Sequence, residues 1–159
     1  MPVEYSNLDE HLLAEMKVHV GIVVSRYNDS ITNRLLEGAL QTLREAGIAD
    51  NNIHLARVPG AWELPVAAQR LARRNEIMAV ICLGAVIQGE TTHDQYINHQ
   101  VSASLGQLAI EHDLPVLFGV LTCQTMEQAL NRAGGSMGNK GVETAQAALE
   151  MMELFELMK

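Results

Sequence analysis

Ala79 to Ile97 reads AVICLGAVIQGETTHDQYI, and the change of character inside this stretch decides the fold. Ala79 to Leu83 is purely apolar, Gly84 to Gln88 forms a short tail, and Gly89 to His93 is a polar elbow. Beyond it, Ile97, Val101, Leu105 and Leu108 recur at helical spacing. The pattern is a buried strand feeding a helix. Thr92 followed three residues later by Gln95 matches a capping box, which makes Thr92 the N-cap and His93 the first helical residue. A helix start offers unpaired N–H groups and partial positive charge, which suit a phosphate or carboxylate. The same field disfavours an imidazolium, so His93 is expected to be neutral and able to move protons. The plainer alternative is a well-capped helix with an incidental surface histidine.

Upstream, residues 1–17 show no clear period and read as an N-terminal arm, loose or lying along a neighbouring element or subunit, with room for a short strand. Val18 to Ser25 (VHVGIVVS) is a β-branched strand, and Arg26-Tyr27-Asn28-Asp29-Ser30 is the turn out of it. A helix from about Ile31 to Ala46 places Leu36, Leu40 and Leu43 on one face, and Gly47 ends it. Asn52 to Val58 is a second strand, closed by Pro59-Gly60. The helix starting near Glu63 shows Leu64, Ala67, Ala68 and Leu71 in ideal spacing and tolerates Pro65 in its first turn.

Downstream, the long helix runs to about His112, and Pro115 to Thr122 (PVLFGVLT) is the fourth strand. A short helix, Met126 to Ala133, a glycine-rich loop, Gly134 to Asn139, and a last helix, Lys140 to Met158, complete the chain. Four strands that are apolar on both faces and alternate with helices require a parallel sheet covered on both sides, a three-layer αβα sandwich. Residues 18–159 are expected to form a single α/β domain.

With 159 residues the chain is long enough for one domain with a real core, and 48% hydrophobic residues make it globular. A net charge of −8 and no basic cluster beyond Arg73-Arg74 argue against nucleic acid as a partner. Cys82 and Cys123 sit in apolar runs without metal-ligand spacing and read as reduced core residues. No signal peptide or run of membrane-spanning length is visible, so a cytoplasmic location is expected.

Ligands of open parallel sheets bind beyond the carboxyl ends of the strands, at the switch in strand order. Three turns there are loaded with chemistry: Arg26-Tyr27-Asn28, Gly60-Ala61-Trp62-Glu63 and Gly89 to His93. If the first strand lies beside the third, Tyr27 and His93 flank one crevice. Tyr27 is either an aromatic lid on its own helix or a platform for a flat heterocycle. Trp62 reads as structural. Glu63 is either a favourable first-turn carboxylate or an acceptor for a polyol or amine. The elbow lacks the Gly-Lys-Ser/Thr of a P-loop, and no dinucleotide fingerprint occurs. His11, His19, His54, His99 and His112 have no partners at useful spacing. Phe118 falls mid-strand, away from the crevice, and is either core or serves a site on a neighbouring subunit. Arg132, in the last turn of the Met126 helix, suits the helix dipole without further role.

The motifs VSRYN, VPGAWELP, LGAVIQGETTHDQYI, LFGVLT and NRAGGSMGNKG occur in the order and spacing of lumazine synthases, and the resemblance extends over nearly all the chain from Val18 onward. It implies a flavodoxin-like fold, with a four-stranded parallel sheet in the order 2-1-3-4 and helices on both faces. It also implies a transferase that condenses 5-amino-6-(D-ribitylamino)uracil with 3,4-dihydroxy-2-butanone 4-phosphate. The products are 6,7-dimethyl-8-ribityllumazine, phosphate and water, and no metal or organic cofactor is used. By this resemblance His93 is the catalytic proton donor and acceptor, and Tyr27 stacks on the pyrimidine where the family usually has Phe or Trp. Ala61, Trp62 and Glu63 line the ribityl side, while Ala85, Val86 and Ile87 meet the uracil through backbone groups. Glu90 and Thr91 hold the butanone phosphate, and Arg132 pairs with it. Phe118, Arg132 and Lys140 come from the adjacent subunit of a homopentamer. Ser136 stands where the family commonly has Lys. The loop from Ala133 to Lys140 has the length found in members that build 60-subunit icosahedral shells. The competing readings are a non-catalytic shell protein and a phosphosugar lyase on the same fold.

Overall fold

Strands β1 (His19–Ser25), β2 (Ile53–Val58), β3 (Ile77–Ile87) and β4 (Val116–Cys123) pair in parallel in the order β2-β1-β3-β4. The computed structural model describes residues 1–5 and 12–159. Helices α1 (Leu12–Glu15), α2 (Asp29–Glu45), α3 (Leu64–Ala72), α4 (His93–His112), α5 (Met126–Asn131) and α6 (Lys140–Leu157) cover the sheet. Handedness explains their division between the faces. The chain steps one way from β1 to β2, then reverses to place β3 and β4 on the far side of β1, and right-handed crossovers require the covering face to switch with it. Accordingly α2 packs with α1, α5 and α6 on one face, and α3 and α4 share the other.

The two central strands are buried on both faces, which is why they read as continuous apolar runs. Val20, Ile22, Val24, Ile81 and Leu83 point into the α2/α6 layer; Val23, Val80 and Cys82 point into the α3/α4 layer. Each such aliphatic side chain contributes roughly 1.5–3 kcal/mol on burial. The flanking β2 and β4 are only partly covered, with Leu55 and Phe118 exposed.

Several local expectations are corrected. The third strand does not stop near Leu83 but continues to Ile87, because Gly84 to Ile87 stays in register with Val120 to Cys123. The helix expected near Glu63 begins as a 3₁₀ turn, Ala61–Glu63, before α3 proper, where Pro65 occupies the first turn as expected. The glycine-rich loop is a small antiparallel hairpin, β5 (Ala133–Gly135) with β6 (Gly138–Asn139), turning at Ser136 and Met137 and re-entering the ladder through Gly138 at φ 85°. Gly47 ends α2 with φ 90°, and the Ile48 N–H reaches back to the Leu43 carbonyl in a Schellman-type stop. Of the arm, residues 12–15 form one helical turn whose Leu13 is buried in the α2/α6 layer; residues 6–11, including His11, lie outside the described residues.

His19 and His54 were expected to be isolated. Their ring nitrogens instead meet at 2.9 Å across the β1–β2 pair, a contact between residues 35 apart that no sequence spacing reveals.

Candidate active site

The chain leaves β1 toward the α2 face and leaves β3 toward the α4 face, so their carboxyl ends diverge and open a crevice between them. A cleft of about 500 Å³ occupies this switch point. Tyr27 enters it from the β1–α2 turn, Ala61, Trp62 and Glu63 from the 3₁₀ turn after β2, and Ala85, Val86 and Ile87 from the end of β3. Thr91 and His93 close it from the elbow. The three loaded turns therefore do converge. Glu90 does not line the cleft, and Asn28, Pro59, Gly60, Gly89, Asp94 and Ile97 line it in addition.

Each wall has a local cause. Backbone N–H groups of Arg26 and Tyr27 donate to the carbonyls of Val58 and Pro59, which ties the β1–α2 turn to the exit of β2. Asn28 adopts a left-handed conformation, φ 61°, and its side-chain amide donates to the Ala85 carbonyl at 2.9 Å. The Glu63 carboxylate accepts the Gly60 N–H at 2.9 Å, so the plain first-turn role holds, and its remaining oxygen capacity faces the cleft. Trp62 is 52% exposed, so it is no part of the core of the single chain. Tyr27 is 74% exposed, so its ring is not sealed against its own helix.

At the elbow Thr92 is the N-cap and His93 the first residue of α4, as expected, but the capping box does not form. Thr92 makes no side-chain cap; the Thr91 hydroxyl accepts the His93 N–H at 3.3 Å, and the Thr92 carbonyl accepts the Gln95 N–H at 3.0 Å. Two donors of the helix start are thus occupied, which limits what the elbow alone offers an anion. The His93 ring is exposed and makes no hydrogen bond or ion pair among the described residues.

Phe118, Arg132 and Lys140 lie elsewhere. They line a second depression of about 560 Å³ along the outer edge of β4, with Thr122, Gln128 and Met137. Phe118 pairs with Cys82 in the middle of the strand, well short of the carboxyl end. Arg132 sits at the C-cap of α5, one position beyond the helix in which it was expected, and its carbonyl accepts the Lys140 N–H at 2.8 Å. Its guanidinium forms no ion pair among the described residues, whereas Lys140 lies 3.6 Å from Glu143. Burial pushes the Cys123 thiol up, partly opposed by the nearby Arg132 charge.

A family model for 6,7-dimethyl-8-ribityllumazine synthase matches residues 17–156. The chain belongs to the lumazine synthase family. It is a transferase of riboflavin biosynthesis, and the parallel β2-β1-β3-β4 sheet with helices on both faces is the lumazine synthase fold expected above. Among the described residues no helix is long and apolar enough to cross a membrane, and no group of three or more His, Cys, Asp or Glu side chains is placed to hold a metal ion. Asn28 and Asp94 line this cleft and were given no role of their own from the sequence. Asn28 stood inside a turn already singled out, and its neighbour Tyr27 was the available signal.

Proposed function

We propose that the Tyr27–His93 cleft binds the pyrimidine and carries out the proton transfers of lumazine formation, and that Phe118, Arg132 and Lys140 of an adjacent subunit complete it. The observation that carries this reading is the separation of the two depressions. One chain holds the Tyr27 ring, the Glu63 carboxylate and the His93 imidazole in one cleft, and in another the Arg132 guanidinium, which forms no ion pair among the described residues. A homopentamer sets the β4 edge of one subunit against the crevice of the next. Large apolar side chains exposed on the free chain, among them Trp62, Tyr96, Ile110 and Phe118, supply the surface that such contacts cover. The 560 Å³ depression then delivers Arg132 to the phosphate, alongside Glu90 and Thr91 of the elbow.

In this site the pyrimidine stacks on Tyr27, its ribityl chain runs along Ala61, Trp62 and Glu63, and its ring amides meet the backbone of Ala85, Val86 and Ile87. The 5-amino group attacks the butanone carbonyl, with loss of water to an imine. Loss of phosphate follows, and the ribitylamino nitrogen attacks the carbonyl so generated, closing the second ring with loss of a second water. His93 takes and returns protons in these steps. Holding two substrates in register supplies most of the acceleration, and the cation balances the departing phosphate. Residues 18–159 act as one domain in the cytoplasm, and residues 1–5, at the start of the arm, add a strand to a neighbouring subunit. Twelve pentamers closing into a 60-subunit shell fit the short loop around the β5–β6 hairpin.

Mixing the purified protein with both substrates and following lumazine absorbance tests the assignment. Catalysis well above the spontaneous condensation is expected; a rate equal to the spontaneous one refutes the proposal. Sedimentation separates the pentamer from the shell.

A further inference from the structure

Asn28 occupies the N-cap position of α2 yet makes no cap hydrogen bond with its side chain. The helix start is served by its backbone instead, since the Asn28 carbonyl accepts the N–H groups of Ile31 and Thr32 at 2.9 and 3.0 Å. The side chain turns the other way and spans 57 residues of sequence to donate its amide to the Ala85 carbonyl at 2.9 Å. The β1–β3 ladder explains why a donor is needed there. Its last paired residues are Val24 and Leu83, and two positions later Ala85 no longer has a strand beside it on that edge. The Asn28 amide takes the place of the missing rung, and a buried carbonyl that would otherwise lack a donor is satisfied.

This side-chain rung joins two walls of the cleft. Asn28 and Ala85 both line it, and Tyr27 precedes Asn28 directly. The Tyr27 ring is 74% exposed, so packing does not hold it, and its place is set by the backbone from which it springs. That backbone is pinned on the β2 side by the Tyr27 N–H to Pro59 bond at 3.0 Å and on the β3 side by Asn28 to Ala85. The left-handed φ of 61° is a conformation that Asn and Gly adopt and most residues avoid, so the position demands both a special backbone and an amide donor. An aspartate of the same shape would set a carboxylate oxygen against the Ala85 carbonyl.

We infer that Asn28 is the positioning residue of the pyrimidine half of the site: it fixes the distance between the Tyr27 platform and the Ala85–Ile87 backbone, and thereby the slot that admits a flat heterocycle. The inference rests on the reading of the Tyr27–His93 cleft as the pyrimidine site. Asn28 acts through Tyr27 and Ala85 and has no part in proton transfer.

The variants Asn28→Gly and Asn28→Asp test it. Asn28→Gly keeps the left-handed backbone and removes only the amide, so the protein still folds and assembles, with a Tm lowered by several degrees for the unpaired Ala85 carbonyl. Its KM for the ribitylaminouracil is expected to rise about tenfold, while KM for the butanone phosphate and kcat stay within about twofold. Calorimetric binding of the ribitylaminouracil alone should weaken by the same factor, a readout that does not depend on turnover. Asn28→Asp should weaken that binding further. Equal loss for both substrates, or unchanged pyrimidine affinity in Asn28→Gly, would overturn the inference. Failure of the unaltered protein to make lumazine would instead strike the function proposed above, so the two failures are distinct.

Discussion

His93→Ala removes the only imidazole among the described residues that line the Tyr27–His93 cleft, so kcat should fall by about a hundredfold with little change in either KM. An unchanged kcat would take His93 out of the mechanism. Arg132→Ala should raise KM for the butanone phosphate about tenfold or more, with the pyrimidine little affected; equal losses for both substrates would contradict the role given to it. Cys82 makes a third prediction, independent of catalysis. Full burial pushes its thiol up to about 12, above the ordinary value of 9.0. A folded-state value raised in this way contributes stability that is complete below 9.0 and is lost as pH climbs toward 12. Tm should therefore decline through that alkaline window, and less steeply in Cys82→Ala; identical slopes would refute the linkage. At this scale the sequence disclosed residue types but few partners. Tyr27, Glu63 and His93 were visible because aromatic, acidic and imidazole groups at strand exits stand out. Asn28 was not, since its partner Ala85 is brought close only by the pairing of β1 with β3.

Helix α6 crosses α2 at Gly141, where a Cβ would lie 1.9 Å from the Leu35 carbonyl oxygen. Neither helix backbone can yield without disturbing the sheet beneath, so Gly141→Ala should cost about 3 kcal/mol or more in urea unfolding. A loss under about 1 kcal/mol would show that the helices separate freely. The same contact sets the direction in which α6 leaves the β5–β6 hairpin, and with it the place of Lys140. Strands and long helices were legible from sequence because buried parallel strands are continuously apolar and helices show a 3.6-residue period. The ends were harder. The Thr92–Gln95 signature is a statistical mark of a helix start, and here the Gln95 N–H goes to the Thr92 carbonyl while the neighbouring Thr91 hydroxyl serves the His93 N–H. The β5–β6 hairpin escaped notice because glycine carries no periodicity, and strands of two and three residues leave none to find.

Across the whole molecule, the decisive prediction concerns these two impaired variants, assayed with the butanone phosphate well below its KM. If each site takes His93 from one subunit and Arg132 from the next, His93→Ala and Arg132→Ala chains dissociated, mixed equally and reassembled will rebuild intact sites at about a quarter of the ring interfaces. Lumazine formation should return toward that fraction of the unaltered rate. Absence of any recovery, with mixed assemblies verified by mass spectrometry, would confine the site to one chain. Sequence alone could suggest this arrangement, through the mid-strand Phe118 that no crevice of its own sheet could reach, but it could not supply the geometry of either depression.

If the proposed site spans two subunits of a ring, the placement of the two depressions on one chain also gives the catalyst a dilution threshold. Below the concentration at which rings fall apart, specific activity should collapse with a steep order in protein while each chain keeps its fold. High substrate should shift that threshold downward, because ligands bridging two subunits hold them together. Turnover then becomes a direct gauge of assembly.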